Sequence, residues 1–227
     1  MKKILQYILK ILAKTAIKKY HPTIIAITGS VGKTSTRQAI LAVLQPSFNV
    51  RASLKSYNNE IGLPLTVLGQ KMPKYKLAWL LVFFRASRLL LRHDQFYPQI
   101  LILEMGADKP GDIEYLTSIS RPDIGIVTAV GETHLEFFKT IEGMAREKRK
   151  LVSALPASGL ALLNADDQRV SDMGKHAKAE TIGIGATKTA HLRFVEEKNI
   201  YEEQNGILTP TGLNAKISQG GALVPLT

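Results

Sequence analysis

Residues 23–35 read TIIAITGSVGKTS, and the two halves of this stretch decide the fold. Thr23–Thr28 is continuous in β-branched and apolar residues, the composition of a strand buried on both faces. Gly29-Ser30-Val31-Gly32-Lys33-Thr34-Ser35 is a glycine loop, and residues 34–44 carry helical spacing up to Pro46. Strand, glycine loop and helix are the setting in which a Gly-Lys-Thr run becomes a phosphate cradle. Glycines let backbone N–H groups turn inward around phosphate oxygens, and the helix N-terminus adds its positive end. Lys33 can then reach the β- and γ-phosphates of a nucleotide, and the Thr34 hydroxyl can ligate Mg²⁺. The loop departs from the strict pattern at one point. The first glycine belongs at position 27, which is Ile27, and Gly29 stands two residues later.

Outward from this loop, strand and helix signals alternate. Residues 3–19 show helical periodicity, with Ile4, Leu5, Ile8, Ile11 and Leu12 on one side and Lys3, Lys10 and Lys14 opposite. Pro22 closes that helix. Strands are expected at 48–51, 99–104, 123–128, 160–164 and 180–184, and helices at 77–92, 110–118, 141–155 and 166–176. The alternation predicts an α/β fold, a P-loop-type and mostly parallel sheet with helices on both faces. Beyond Gly185, short alternating runs at 191–195, 207–209 and 213–217, divided by Gly and Pro turns, read as the start of a small antiparallel β subregion. The expected organisation is a basic amphipathic helix (1–22), a nucleotide-binding domain (23–185) and its antiparallel extension (186–227).

Charge placement says more than its size. The net charge of +11 comes from 30 basic and 19 acidic residues. Residues 1–20 hold six lysines and no acid, and residues 71–92 hold six basic residues and no acid. Without those twelve, 18 basic residues face 19 acidic ones. The excess therefore lies in two apolar-rich stretches, which points to an anionic membrane surface and away from nucleic acid. For residues 77–84 burial in the core is the preferred reading, and residues 1–20 are left open between membrane contact and packing. No apolar stretch is long enough to span a bilayer. The absence of cysteine excludes disulfides and thiolate chemistry and fits a reducing cytoplasm.

Further along, Leu101-Ile102-Leu103-Glu104 is an apolar run ending in a carboxylate. In an open parallel sheet, ligands bind beyond the carboxyl ends of strands, so Glu104 is expected to face the phosphate loop. His134 follows the strand at 123–128 by a short loop, and the two side chains together supply oxygen and nitrogen donors for a second Mg²⁺. Lys148, in Arg146-Glu147-Lys148-Arg149-Lys150, reads by spacing as part of a solvated charged face. Asn164-Ala165-Asp166-Asp167 follows a strand and opens a helix, as either a cap or a contact to adenine or ribose.

Taken in order, Thr28–Ser35, Asn58-Asn59-Glu60-Ile61-Gly62-Leu63-Pro64, Glu104-Met105-Gly106, His134-Leu135-Glu136 and Asn164-Ala165-Asp166-Asp167 resemble the central domain of the Mur ligases over residues 23–226. The Asn58–Pro64 run most resembles the members that join D-alanyl-D-alanine to UDP-MurNAc-tripeptide. The resemblance implies ATP-dependent amide-bond formation through an acyl phosphate in peptidoglycan precursor synthesis, by a cytoplasmic monomer. It implies that Thr34 holds one Mg²⁺, that Glu104 and His134 hold another, and that Lys148 is carbamylated into an anionic ligand. It assigns Asn164 to adenine, and Asn58 or Asn59 to the muramoyl substrate. The family's domains on either side of this one are not recognisable here. Residues 1–227 alone are therefore expected to bind nucleotide weakly and to ligate little or nothing. Two alternatives stay open: an amide ligase for another carboxylate, and a P-loop ATPase that is not a ligase.

Overall fold

A computed structural model describes residues 2–54, 57–132, 135–204, 207–220 and 222–226. Helix α1 (Lys2–Tyr20) leads into strand β1 (Thr23–Thr28), helix α2 (Lys33–Leu44), β2 (Val50–Ala52), α3 (Gly62–Val67) and α4 (Ala78–Leu91). β3 (Ile100–Glu104), α5 (Asp112–Ile119), β4 (Ile124–Val127), α6 (Leu135–Phe138), α7 (Ile141–Ala154) and β5 (Leu160–Asn164) continue the alternation. α8 (Gln168–Ser171) runs into a 3₁₀ turn (Asp172–His176), followed by β6 (Glu180–Gly185), β7 (Leu192–Gln204), β8 (Ile207–Gln219) and β9 (Ala222–Leu226).

Among the described residues nine strands form one sheet in the order β2-β3-β1-β4-β5-β6-β7-β8-β9. Pairing is parallel from β2 through β7, and β7, β8 and β9 pair antiparallel. The strand after β1 lies to one side and β4 to the other, so the order reverses at the C-terminal end of β1, where open sheets bind ligands.

The central strands explain why apolar runs replaced alternation. In β1, Ile24 and Ala26 join the larger core, under α1, α3, α4, α5 and α7. Ile25 and Ile27 face the other way, with Ile102 and Ile126, into a smaller core under α2. Both faces are covered, so positions 24–27 are all apolar.

One helix resolves a reading that was open, and another differs from expectation. The buried arc of α1 is Leu9, Ala13 and Ala16, flanked by Leu5, Leu12 and Ile17, whereas Ile4, Tyr7, Ile8 and Ile11 are exposed. Small residues lie where neighbouring helices approach closely, and the large apolar arc read from periodicity is rotated away from the core. In α4, Val82 and Ala86 are buried and Trp79, Phe83, Leu89 and Leu90 pack on the core. Leu77 (77% exposed), Leu80, Leu81, Phe84 and Leu91 face outward, so burial of the whole 77–84 run is corrected to burial of one face.

Candidate active site

The phosphate loop is laced to the ends of β1, β3 and β4. Thr28 Oγ1 donates to the Met105 carbonyl (2.9 Å). The Ser30 N–H donates to the Ala129 carbonyl (2.8 Å) and the Gly131 N–H to Ser30 Oγ (2.9 Å). Gly29 has φ +154°, and a Cβ there would stand 1.9 Å from Thr128 Oγ1, which donates to the Val31 carbonyl. Gly32 turns left-handed (φ 83°) directly before α2. The displaced first glycine follows from the length of β1: Ile27 is still a fully buried sheet residue, paired with Glu104 and Ile126, and the loop begins two residues on.

Lys33 folds over this loop, its Nζ donating to the Gly29 carbonyl (2.5 Å). Burial lowers its pKa, while Glu104 and Asp108 pull it back up. Glu104 ends β3 and is buried. Its Oε1 accepts from Arg37 Nε (2.6 Å), its Oε2 accepts from Thr34 Oγ1 (3.3 Å), and its N–H donates to Ser53 Oγ (3.2 Å). A carboxylate and a hydroxyl side by side are the hard oxygen donors that suit Mg²⁺. Arg37 was not singled out from the sequence. It lies one helical turn beyond Lys33 on α2, and that spacing to a phosphate-loop lysine is the signal that could have found it. His134 lies outside the described residues. Among the described residues, no three His, Cys, Asp or Glu side chains gather closely enough to form a metal cluster by themselves.

Lys148 is 2% exposed, so its reading as a solvated charge is corrected. Its pKa falls to about 8, through burial first and the Lys33 ammonium second, with Glu147 and Asp108 opposing. Lys148 therefore shares the electrostatic neighbourhood of the phosphate loop. Neighbouring Glu147 is also buried and accepts from the Gly111 (3.0 Å) and Ile113 (2.9 Å) N–H groups, capping α5.

The Asn58–Pro64 run lies over the end of β3. The Gly106 N–H donates to the Asn58 carbonyl (2.8 Å), and Asn58, Asn59, Glu60, Gly106 and Asp108 line one small cleft. Asn59 Oδ1 accepts from the Ile61 (3.2 Å) and Gly62 (2.9 Å) N–H groups and so shapes the start of α3. Asn164 Nδ2 donates to the Thr128 carbonyl (2.8 Å), and Asp167 Oδ2 accepts from the Val130 N–H (2.8 Å). These bonds brace the turn that holds the phosphate loop. Asp166 accepts from the Ala186 and Thr187 N–H groups, which hold its carboxyl below the usual range.

A glycine loop before a helix, at the reversal point of a parallel sheet, with a buried carboxylate beside the loop threonine, defines a nucleotide-binding domain of the P-loop class. The family profile described as "Mur ligase middle domain" matches residues 27–80 and 86–219. The chain belongs to the Mur ligase family through this middle domain. It is 41% identical over 170 residues to the UDP-N-acetylmuramoyl-tripeptide–D-alanyl-D-alanine ligase of Mycobacterium tuberculosis, covering 75% of this chain and 29% of that protein. It is 30% identical over 186 residues to the Bacillus subtilis protein of the same name, covering 82% and 35%. The MurF ligase of Thermotoga maritima, solved in complex with ADP, superimposes with a TM-score of 0.71 at 25% identity, over 97% of this chain and 44% of that one. The chain thus spans about a third of the length of the curated relatives it matches. Among the described residues, no helix is long and apolar enough to cross a membrane.

Proposed function

We propose that this chain is the ATP-binding part of a ligase that joins D-alanyl-D-alanine to UDP-MurNAc-tripeptide on the cytoplasmic side of the membrane. The carrying observation is the meeting of Lys33, Thr34 and Glu104 at the C-terminal edge of the sheet, with the buried Lys148 of α7 close enough to Lys33 to feel its charge. A substrate carboxylate oxygen attacks the γ-phosphorus of ATP and ADP leaves, giving an acyl phosphate. The amine of the dipeptide then attacks the acyl carbon, loses a proton and expels phosphate. Lys33 and the N–H groups at the start of α2 neutralise charge on the transferred phosphoryl group. Thr34 and Glu104 would hold Mg²⁺, which supplies further charge neutralisation when bound, and His134 joins Glu104 in the proposed second site. Arg37 keeps the Glu104 carboxylate aimed at Thr34. Asn164 is assigned to the adenine side, and Asn58 or Asn59 to the muramoyl substrate.

Carbamylation of Lys148 has a physical basis in its burial. The neutral amine attacks CO₂ and releases one proton, giving an anionic carbamate. At pH 7 a pKa of about 8 leaves roughly one amine in ten unprotonated, against roughly one in several thousand for an ordinary lysine. The carbamate would add oxygen donors beside Lys33. The exposed arc of α1, with Ile4, Tyr7, Ile8 and Ile11 beside Lys3, Lys14 and Lys18, offers the proposed contact of residues 1–20 with an anionic membrane.

The test follows phosphate release from ATP by the gene product that carries residues 1–227. UDP-MurNAc-tripeptide is supplied with and without D-alanyl-D-alanine. Release that needs both, with a new amide in the mass spectrum, is the expected result. Release indifferent to both substrates would move the chain to the non-ligase ATPases.

A further inference from the structure

We propose that the outer face of α4 is a docking surface for an anionic phospholipid bilayer, with a cavity beside it that seats a lipid phosphate. The cavity, about 430 Å³, is lined by Arg51, Gly69, Arg85, Arg88, Arg92 and His93. Arg51 forms its inner wall: it donates to the Val67 carbonyl at the end of α3 (2.9 Å) and stacks on Tyr97. Arg85, Arg88 and Arg92 are exposed, and no carboxylate among the described residues forms an ion pair with them. Asp94 is the one carboxylate in the lining, and its Oδ1 accepts from the Phe96 N–H (3.0 Å). Guanidinium forks converging on one cavity suit a phosphate oxygen pair.

Leu77, Leu80, Leu81, Phe84 and Leu91 stand beside these arginines, with Phe84 65% exposed. Apolar side chains grouped on the outer face of one helix mark a contact surface. Three partners fit the apolar face differently. Nucleic acid offers phosphate but little for five large aliphatic and aromatic side chains. A second copy meeting this face across a two-fold axis would bring Arg85, Arg88 and Arg92 against their own equivalents, with no acid in residues 71–92 to offset them. An anionic bilayer satisfies both halves, since acyl chains take the leucines and Phe84 while headgroup phosphates take the arginines. α1 packs beside α4: Lys19 Nζ donates to the Leu90 carbonyl (2.9 Å) and Tyr20 Oη to the Leu89 carbonyl (2.7 Å). The exposed lysines of α1 therefore add to the same attraction.

The experiment sediments the full chain with vesicles of phosphatidylcholine alone and of phosphatidylcholine mixed with phosphatidylglycerol, without nucleotide, so that it stands apart from the ligase assay. The chain is expected to partition onto the mixed vesicles, weakly or not at all onto the neutral ones, and to be released by salt. Replacing Arg85, Arg88 and Arg92 together by glutamine is expected to weaken partition on the order of a hundredfold. Leu80→Ser with Phe84→Ser is expected to weaken it independently. All five side chains are exposed, so thermal melting of the variants should match the parent. Equal partition onto neutral vesicles, no partition at all, or partition unchanged by the arginine replacements would each overturn the proposal. Self-association abolished by Phe84→Ser, without vesicle binding, would give the face to a second copy.

Discussion

Replacing Lys148 by methionine tests the buried amine at the centre of the site. The folded lysine has its pKa pushed down to about 8, while the unfolded chain keeps the ordinary value of 10.5. Between those values the unfolded state binds the proton and the folded state does not. Stability therefore rises with pH through this window, and the full penalty is present below about pH 8. A depression of this size corresponds to about 3 kcal/mol. Methionine keeps much of the stem and removes the ammonium. The variant should be more stable than the parent at neutral pH by up to about 3 kcal/mol, or roughly 6–12 °C in Tm for a chain of this length. The advantage should shrink toward zero as pH approaches the ordinary lysine value. Paired thermal and urea melts in CO₂-free buffers at stepped pH measure the difference. A stability difference that stays constant with pH would refute the assignment of a buried, depressed amine. Adding bicarbonate gives a second reading: carbamylation would raise the Tm of the parent and leave the methionine variant unmoved.

Arg37→Met strands the buried Glu104 carboxylate and should cost about 3–5 kcal/mol, whereas Arg37→Met with Glu104→Leu should recover most of that in chemical denaturation. Gly29→Ala forces a methyl group to within 1.9 Å of Thr128 Oγ1, so equilibrium binding of a fluorescent ADP should fall at least tenfold; unchanged binding would show that the loop relaxes freely. Thr34→Val should weaken nucleotide binding in the presence of Mg²⁺ and much less in EDTA, as read by the same titration. Asn164→Ala removes the bond to the Thr128 carbonyl and should cost about 1 kcal/mol of stability, measured by urea unfolding without nucleotide.

The elements that were legible from sequence are those whose local pattern and tertiary role agree. β1 and β5 were read at their observed limits, because turn residues bound continuous apolar runs. α3 escaped notice because Gly62 and Pro64 argue against a helix. Pro64 stands in the first turn, where no intrahelical N–H is needed, and a Cβ at Gly62 would meet the Tyr57 backbone at 2.4 Å. Which face of α1 packs stayed open, because periodicity ranks large residues above small ones. Its alanines are buried instead, because a close helix contact accepts only small side chains. The phosphate loop and Glu104 were readable from strand context. Arg37 was not, since nothing local says that its guanidinium turns inward to a carboxylate on another strand.

The misreading of Lys148 has a more specific lesson. Met144, Leu151 and Val152 are buried on α7, and 147 and 148 fall on the same stripe at i+3 and i+4 from Met144. Within Arg146–Lys150, then, helical spacing sets these two apart from their charged neighbours. Glu147 is satisfied there by two N–H groups at the start of α5 and by Lys150 (3.0 Å). Lys148, by contrast, stands near the like charge of Lys33 at a position where burial already penalises an ammonium. Both penalties are removed if the amine is neutral, and the repulsion becomes attraction if the amine becomes a carbamate. A fold that only needed to fill this position would be more stable with methionine. A buried lysine on the core stripe, close enough to Lys33 to feel its charge, is what a chemical role for its amine would require.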